Sequence, residues 1–253
     1  MTADIERCSV AGEEFFHCSR ASIEHVYEQV FIDREYDFST DASAPNIIDC
    51  GAHYGVATIF FLMRYPRASV LAFEPDPNNA EVFKMNIAAR QLDRVRLVEA
   101  AVSDYSGTGE LFGEFDGRHP DSQGNSLLQS WGDRGYTTTR TVDVVRLSDY
   151  IDEPIDFLKL NIEGAELPVI RDLSRTDRLD RVHQIYVQFH QTHSLNSDDE
   201  YREVLDILES AGFEMTETAM SIREYLPPHL DAWATSSDPR IRVVRAIRPT
   251  SGT

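Results

Sequence analysis

Residues 46–55 read Asn46-Ile47-Ile48-Asp49-Cys50-Gly51-Ala52-His53-Tyr54-Gly55, and the change of character along this stretch decides the fold. Asn46–Cys50 is short and mostly apolar, as a buried strand is, and it runs straight into Gly51. Glycines at 51 and 55 allow a tight turn and let a ligand approach the backbone. Tyr54–Arg64 then reads as a helix, stopped by Pro66. Strand, glycine turn and helix in this order open a parallel α/β sheet. The same alternation continues outward. Ser69–Phe73 is a second strand, closed by Glu74 and Pro75, and Asp76 or Asn78 caps the helix after it. Val95–Val102 is expected as one third strand, and Ile155–Ile162 and Val182–Phe189 as further strands. Helices are expected over Ala165–Leu173 and Asp198–Ala211, and Phe213–Thr218 with Ile241–Ile247 as a closing antiparallel pair. Gly107–Tyr136 reads as a hairpin and a long surface loop of the kind that covers something. Thr137–Leu147 follows as an exposed strand leading into a short helix over Ser148–Ile151. Residues 1–45 hold a helical stretch, Ser22–Phe31, expected to be a lid or edge element on a main domain spanning 46–253.

The 253 residues carry 24 Lys and Arg against 43 Asp and Glu, a formal charge of −19. A chain this long that is 42% hydrophobic can bury a sizeable core. Its negative charge repels phosphate backbones and anionic headgroups, and no basic patch offsets it, so nucleic acid is not an expected partner. The longest apolar run, Ile59–Met63, falls far short of the roughly 20 residues of a membrane span. No signal-peptide pattern opens the chain, and a cytoplasmic location is expected. Cys8, Cys18 and Cys50 match neither a disulfide framework nor a zinc spacing.

Chemistry concentrates at the predicted carboxyl ends of the strands, where open α/β sheets bind ligands. The turn Asp49-Cys50-Gly51-Ala52-His53-Tyr54-Gly55 is a candidate nucleotide-cofactor site, since the helix after it presents free N–H groups. Glu74 ends the second strand, where a carboxylate can accept from both hydroxyls of a ribose. Ala101, Val102 and Asp104 end the third strand and are placed to flank an adenine. Lys159-Leu160-Asn161-Ile162-Glu163-Gly164-Ala165-Glu166 faces the same crevice, and strand alternation sends Lys159, Asn161 and Glu163 to one face as a polar group. His190, with His193 beyond it, ends the next strand. His190 can act as a general base, or join Asn161 and Glu163 around a divalent cation.

Taken together, IIDCGAHYG, AFEPDP, the NIAA segment at Asn86, VRLVEAAVSD with Gly107, TVDVVRLSDYI and LKLNIEGAE resemble the FkbM family of S-adenosylmethionine-dependent methyltransferases. The likeness covers about residues 46–173. It implies a Rossmann-like class I methyltransferase fold, with a mostly parallel seven-stranded sheet and helices on both faces. It also implies O-methylation of a hydroxyl on a sugar, glycoconjugate or natural product. S-adenosyl-L-methionine would lie with its methionine part by Asp49, Gly51, Ala52, His53 and Gly55, its ribose by Glu74 and its adenine by Ala101–Asp104. Asn161, Glu163 and His190 are the catalytic candidates. His53 stands where the family commonly has asparagine, and Asn161 where it commonly has aspartate. The second departure weakens the case for a metal, since a neutral amide is a poorer ligand for a hard cation. The competing readings are a catalytically silent cofactor-binding or protein-interaction module and an NAD(P)-dependent oxidoreductase. The oxidoreductase lacks both the G-x-G-x-x-G fingerprint and a tyrosine four residues before either lysine, Lys84 or Lys159.

Overall fold

The computed structural model describes residues 4–113, 124–129, 138–191, 196–221 and 240–249. Its first element is a hairpin of β1 (Glu6–Val10) and β2 (Glu13–His17), turning through Ala11 and Gly12. Both turn residues have positive φ, which matches the twist of a two-residue hairpin. Ser19 caps α1 (Arg20–Tyr27) by accepting from Ser22 N–H, and the helix loosens into a π-turn over Glu28–Ile32. The expected helix of Ser22–Phe31 is therefore present, preceded by a hairpin that local patterning did not indicate.

The main unit follows as β3 (Asn46–Cys50), α2 (Val56–Arg64), β4 (Ser69–Phe73), α3 (Pro77–Ala89) and β5 (Val95–Val98). A small sheet is then built from β6 (Ala101–Ser103), β7 (Gly107–Gly113) and β8 (Thr138–Arg146) in the order β6-β8-β7. The chain returns through β9 (Ile155–Leu160), α4 (Glu166–Arg175), β10 (Val182–Gln191), α5 (Asp198–Ser210), β11 (Glu214–Ser221) and β12 (Arg240–Ile247). The seven-stranded sheet runs β11-β12-β10-β9-β3-β4-β5, with β12 antiparallel to both neighbours and the other pairings parallel. The connection order reverses between β3 and β9, so a crevice opens at their carboxyl ends.

One expected strand is corrected. Val95–Val102 breaks at Glu99-Ala100, so that β5 ends the large sheet and β6 begins the small one.

Alternation along the central strands feeds two cores. Ile48, Leu158 and Val187 pack against Leu167 and Ile170 of α4 and Val204 and Leu208 of α5. Their neighbours Ile47, Phe157 and Tyr186 pack on the other face with Phe61 of α2, Phe83 of α3 and Ile23 of α1. Phe15, Val30, Tyr36 and Phe38 complete this second core, so residues before β3 are interior material. Among the described residues no helix is long and apolar enough to cross a membrane.

Candidate functional site

The turn after β3 is held by backbone bonds before any side chain acts. Gly51 N–H and Ala52 N–H both donate to Phe73 O, at 3.0 and 2.9 Å, so the bend stays zipped to β4. Gly51, His53 and Gly55 all take positive φ, at +79°, +49° and +84°. Protein contacts account for both glycines. A Cβ on Gly51 would lie 1.8 Å from Asn161 O, and one on Gly55 would lie 2.9 Å from the Phe83 ring. Their first task is thus to let β9 and α3 approach, rather than to admit a ligand.

Asp49 holds this turn from beneath. Its Oδ1 pairs with Lys159 Nζ at 2.8 Å and its Oδ2 accepts from Thr58 Oγ1 at 2.8 Å, all fully buried. Lys159 Nζ also donates to Cys50 O and Gly51 O. Both oxygens of Asp49 are thereby used inside the protein, so this side chain shapes the turn rather than facing a cofactor. Of the polar group expected of Lys159, Asn161 and Glu163, Lys159 and Asn161 do share a face, with Lys159 Nζ 5.1 Å from the centroid of the Tyr36 ring, but the Lys159 charge is spent on Asp49. The strand stops at Leu160 and Glu163 has φ +55°, so alternation does not extend to Glu163. Asn161 Nδ2 donates to Tyr36 Oη at 3.2 Å, and Glu163 turns toward His190.

Glu74 is 5% exposed and points at the turn. Its Oε2 accepts from His53 N–H at 2.8 Å, while Oε1 accepts from Asp76 N–H at 2.9 Å and Asn79 Nδ2 at 3.3 Å. An ionised carboxylate offers about four acceptor positions. The paired grip on a ribose therefore narrows to the open position on Oε2. Burial pushes the Glu74 pKa up to about 7, against the opposing pull of these hydrogen bonds. The His53 imidazole stacks on Tyr54 with centroids 3.8 Å apart. Burial, with a smaller push from the Lys159 charge, lowers its pKa to about 3 and keeps it neutral.

The expected adenine side is corrected in part. Ala101 packs with Leu111, Val142 and Val144, and Val102 lies in the main core with Cys50 and Phe73, so neither side chain is open to a ring. Asp104 accepts from Ser103 Oγ, and its carbonyl accepts from Arg146 Nε. Arg146 also lies 3.6 Å from Asp172 of α4, so it ties the end of β6 to that helix.

At the end of β10, His190 is 2% exposed and lies between two carboxylates. Nδ1 is 3.0 Å from Glu166 Oε1, and Nε2 is 3.4 Å from Glu163 Oε1. Glu166 is fully buried and also accepts from the N–H groups of Ile162 and Gly164, which locks the turn. The tautomer with Nδ1–H donates to Glu166 and turns Nε2 toward Glu163. Glu163, whose side chain is 23% exposed, is the member a substrate can reach. His193 lies outside the described residues. Among the described residues no group of three or more His, Cys, Asp or Glu side chains is arranged to hold a metal ion. Of the three residues offered for a cation, His190 and Glu163 face one another at 3.4 Å, while the Asn161 amide bonds Tyr36.

Three contributions escaped the sequence reading. Glu166 orients His190. Tyr36 holds Asn161 from 125 residues away. Residues 124–129 strap the crevice: Asn125 Nδ2 donates to Asp76 Oδ2 at 2.9 Å, Ser126 Oγ donates to Glu163 O at 2.6 Å, and Leu128 packs where a Gly164 Cβ would stand. Most of the expected loop, residues 114–123 and 130–137, lies outside the described residues, and the anchors of 124–129 join residues too distant for any local pattern to signal.

A model of the FkbM methyltransferase domain matches residues 49–215. The methyltransferase sdnD of Sordaria araneosa is 29% identical over 184 residues, covering 62% of this chain and 71% of that protein. The 31-O-demethyl-FK506 methyltransferase FkbM of Streptomyces tacrolimicus is 29% identical over 194 residues, covering 66% of this chain and 74% of that one. The crystal structure of an FkbM methyltransferase from Methylobacillus flagellatus superposes with a TM-score of 0.51 at 16% identity, over 89% of this chain. This chain spans 50% of the length of that solved one, and the likeness is one of fold. With the strand order above, the fold is the Rossmann-like class I methyltransferase fold, and the chain belongs to the FkbM methyltransferase family.

Proposed function

We propose that this chain is an S-adenosylmethionine-dependent O-methyltransferase acting on a hydroxyl of a small-molecule or glycan acceptor. The observation that carries the reading is the row Glu166–His190–Glu163, set at the carboxyl end of the sheet next to the turn that Glu74 holds. Family membership supports methyl transfer, and the S. tacrolimicus relative carries O-methylation in its name.

The residues present fit the cofactor: a buried carboxylate with an open acceptor position lies against the turn, and α2 follows its N-cap Gly55 with no side-chain cap on its first N–H groups. Ala52, His53 and Gly55 would line its methionine part, and Glu74 would accept from a ribose hydroxyl. When bound, S-adenosylmethionine supplies an electrophilic methyl group on a positively charged sulfur. The chain's own residues then position the acceptor and take its proton. Glu163 receives the hydroxyl hydrogen bond, and the proton passes to the Glu163–His190 pair. Glu166 fixes the imidazole so that Nε2 stays turned toward Glu163. Much of the rate comes from holding the oxygen at attack distance. Asn161, anchored by Tyr36, orients the acceptor.

Titration calorimetry with S-adenosylmethionine, S-adenosylhomocysteine and NAD tests the first step, and binding of the first two without NAD is expected. Labelled methyl transfer to a panel of hydroxylated acceptors tests the second. His190→Ala should keep cofactor affinity and lose roughly 100-fold or more in turnover. Full turnover in that variant would remove His190 from the proton path.

A further inference from the structure

Two side-chain amide oxygens at the carboxyl ends of adjacent strands, Asn161 Oδ1 and Gln188 Oε1, are buried with no hydrogen-bond partner among the described residues. They are neighbours by register. The strands β9 and β10 pair through Tyr186↔Lys159 and Val187↔Leu160, so Gln188 and Asn161 come next on each chain. Alternation along β10 puts Gln188 on the face of Tyr186 and His190. Asn161 shares that face, because it bonds Tyr36, whose ring meets Tyr186 at 4.8 Å. Gln188 is 4% exposed and lies two residues before His190 on the same face of β10, near the carboxyl end of the sheet. A buried acceptor without a donor is costly, and two side by side ask for a ligand that brings donors.

We infer that Gln188 and Asn161 together read hydroxyl groups flanking the one that is methylated, so that the acceptor is a polyhydroxylated ring rather than an isolated alcohol. This rests on the methyl-transfer reading. The α-ammonium of the cofactor is the other donor within this chemistry, and position argues against it for Gln188. The glycine turn follows β3, and β10 lies two strands away, roughly 10 Å across the sheet. A site built to bond a hydroxyl strongly rejects the analogue that lacks it.

The test compares methyl pyranosides with their monodeoxy counterparts, by kcat/KM and by saturation-transfer NMR on protein loaded with S-adenosylhomocysteine. Wild type should prefer the full polyol at least 10-fold. Gln188→Met, which keeps length and removes the acceptor, should bring that preference within about 2-fold at unchanged S-adenosylhomocysteine affinity. Gln188→Glu, which keeps an acceptor oxygen, should retain the preference, and Gln188→Leu serves if the Met variant does not fold. An undiminished preference in Gln188→Met overturns the inference. So does a 10-fold loss of S-adenosylhomocysteine affinity, which would assign the amide to the cofactor. Equal binding of polyol and deoxy forms, or of neither, by protein that binds S-adenosylhomocysteine overturns it while leaving methyl transfer standing. Absence of S-adenosylhomocysteine binding in wild type overturns both.

Discussion

Glu74 couples protonation to both stability and ligand affinity. Its folded pKa of about 7 lies above the ordinary value of 4.5, so the folded state holds this proton more tightly than the unfolded chain. Stability contributed by the group is therefore full below about pH 4.5 and is lost as pH rises toward 7, a change of about 3 kcal/mol. The expected outcome is that Glu74→Gln gains on wild type between pH 5 and pH 8 in urea unfolding. A difference that moves by less than about 1 kcal/mol would mean that this carboxyl titrates normally. Ribose hydroxyls donate best to the ionised form, so S-adenosylhomocysteine should bind wild type more tightly as pH rises through 7, and Glu74→Gln should flatten that profile. His53 carries a second prediction. At φ +49° the backbone is left-handed, a region that asparagine and histidine enter far more readily than β-branched residues. The exchange of the family's common asparagine for histidine is thus a swap between two residues suited to one bend. His53→Asn should lie within about 0.5 kcal/mol of wild type, and His53→Val should cost about 1–2 kcal/mol, both read from denaturant midpoints.

Elements were legible where their cause is local. The strand, glycine turn and helix at 46–64, the carboxylate closing β4 and the box-capped α5 all follow from neighbours within a few residues. Alternation held for Lys159 and Asn161, which both meet Tyr36, and misled at Glu163, because β9 ends at Leu160 and the next turn sends that side chain to His190. The contacts that finish the site join residues far apart, such as Tyr36 with Asn161 and Glu35 with Tyr186, and no local pattern encodes them. The strap of residues 124–129 is of this kind. It is pinned at Asp76 beside the glycine turn and at the Glu163 carbonyl beside His190, so its position reports on both halves of the crevice. Removing one pin should loosen acceptor binding more than chemistry. Asn125→Ala is expected to raise the acceptor KM several-fold, with kcat and S-adenosylhomocysteine affinity within about 2-fold. A fall in kcat at constant KM would show instead that the strap sets the geometry of the reacting groups.

At the scale of the whole molecule, the separation of residues 1–45 from 46–253 is not a separation of cores. Phe15, Ile23, Val30, Tyr36 and Phe38 pack with Ile47, Phe61 and Phe83, and Arg245 of β12 donates to Glu35 O. What remains outside that shared interior is a strongly acidic surface, with a formal charge of −19. Several cations are already committed: Lys159 is buried against Asp49, Arg140 is drawn to Asp76, and Arg242 to Asp198. The uncompensated carboxylates repel one another in the folded state and less so in the expanded chain. Dissolved salt shortens the reach of that repulsion from about 10 Å at 0.1 M to about 3 Å at 1 M. Exposed ion pairs weaken over the same range, but each contributes only about 0–1 kcal/mol, so relief of the net charge should dominate. The melting temperature is therefore expected to rise by several degrees between 0.05 and 1 M KCl. Sucrose at matched osmolality stabilises by exclusion from the surface and leaves charge repulsion in place, so it separates screening from solvent effects. Should KCl and sucrose raise the midpoint equally, or KCl lower it, charge repulsion would not be what limits the stability of this fold.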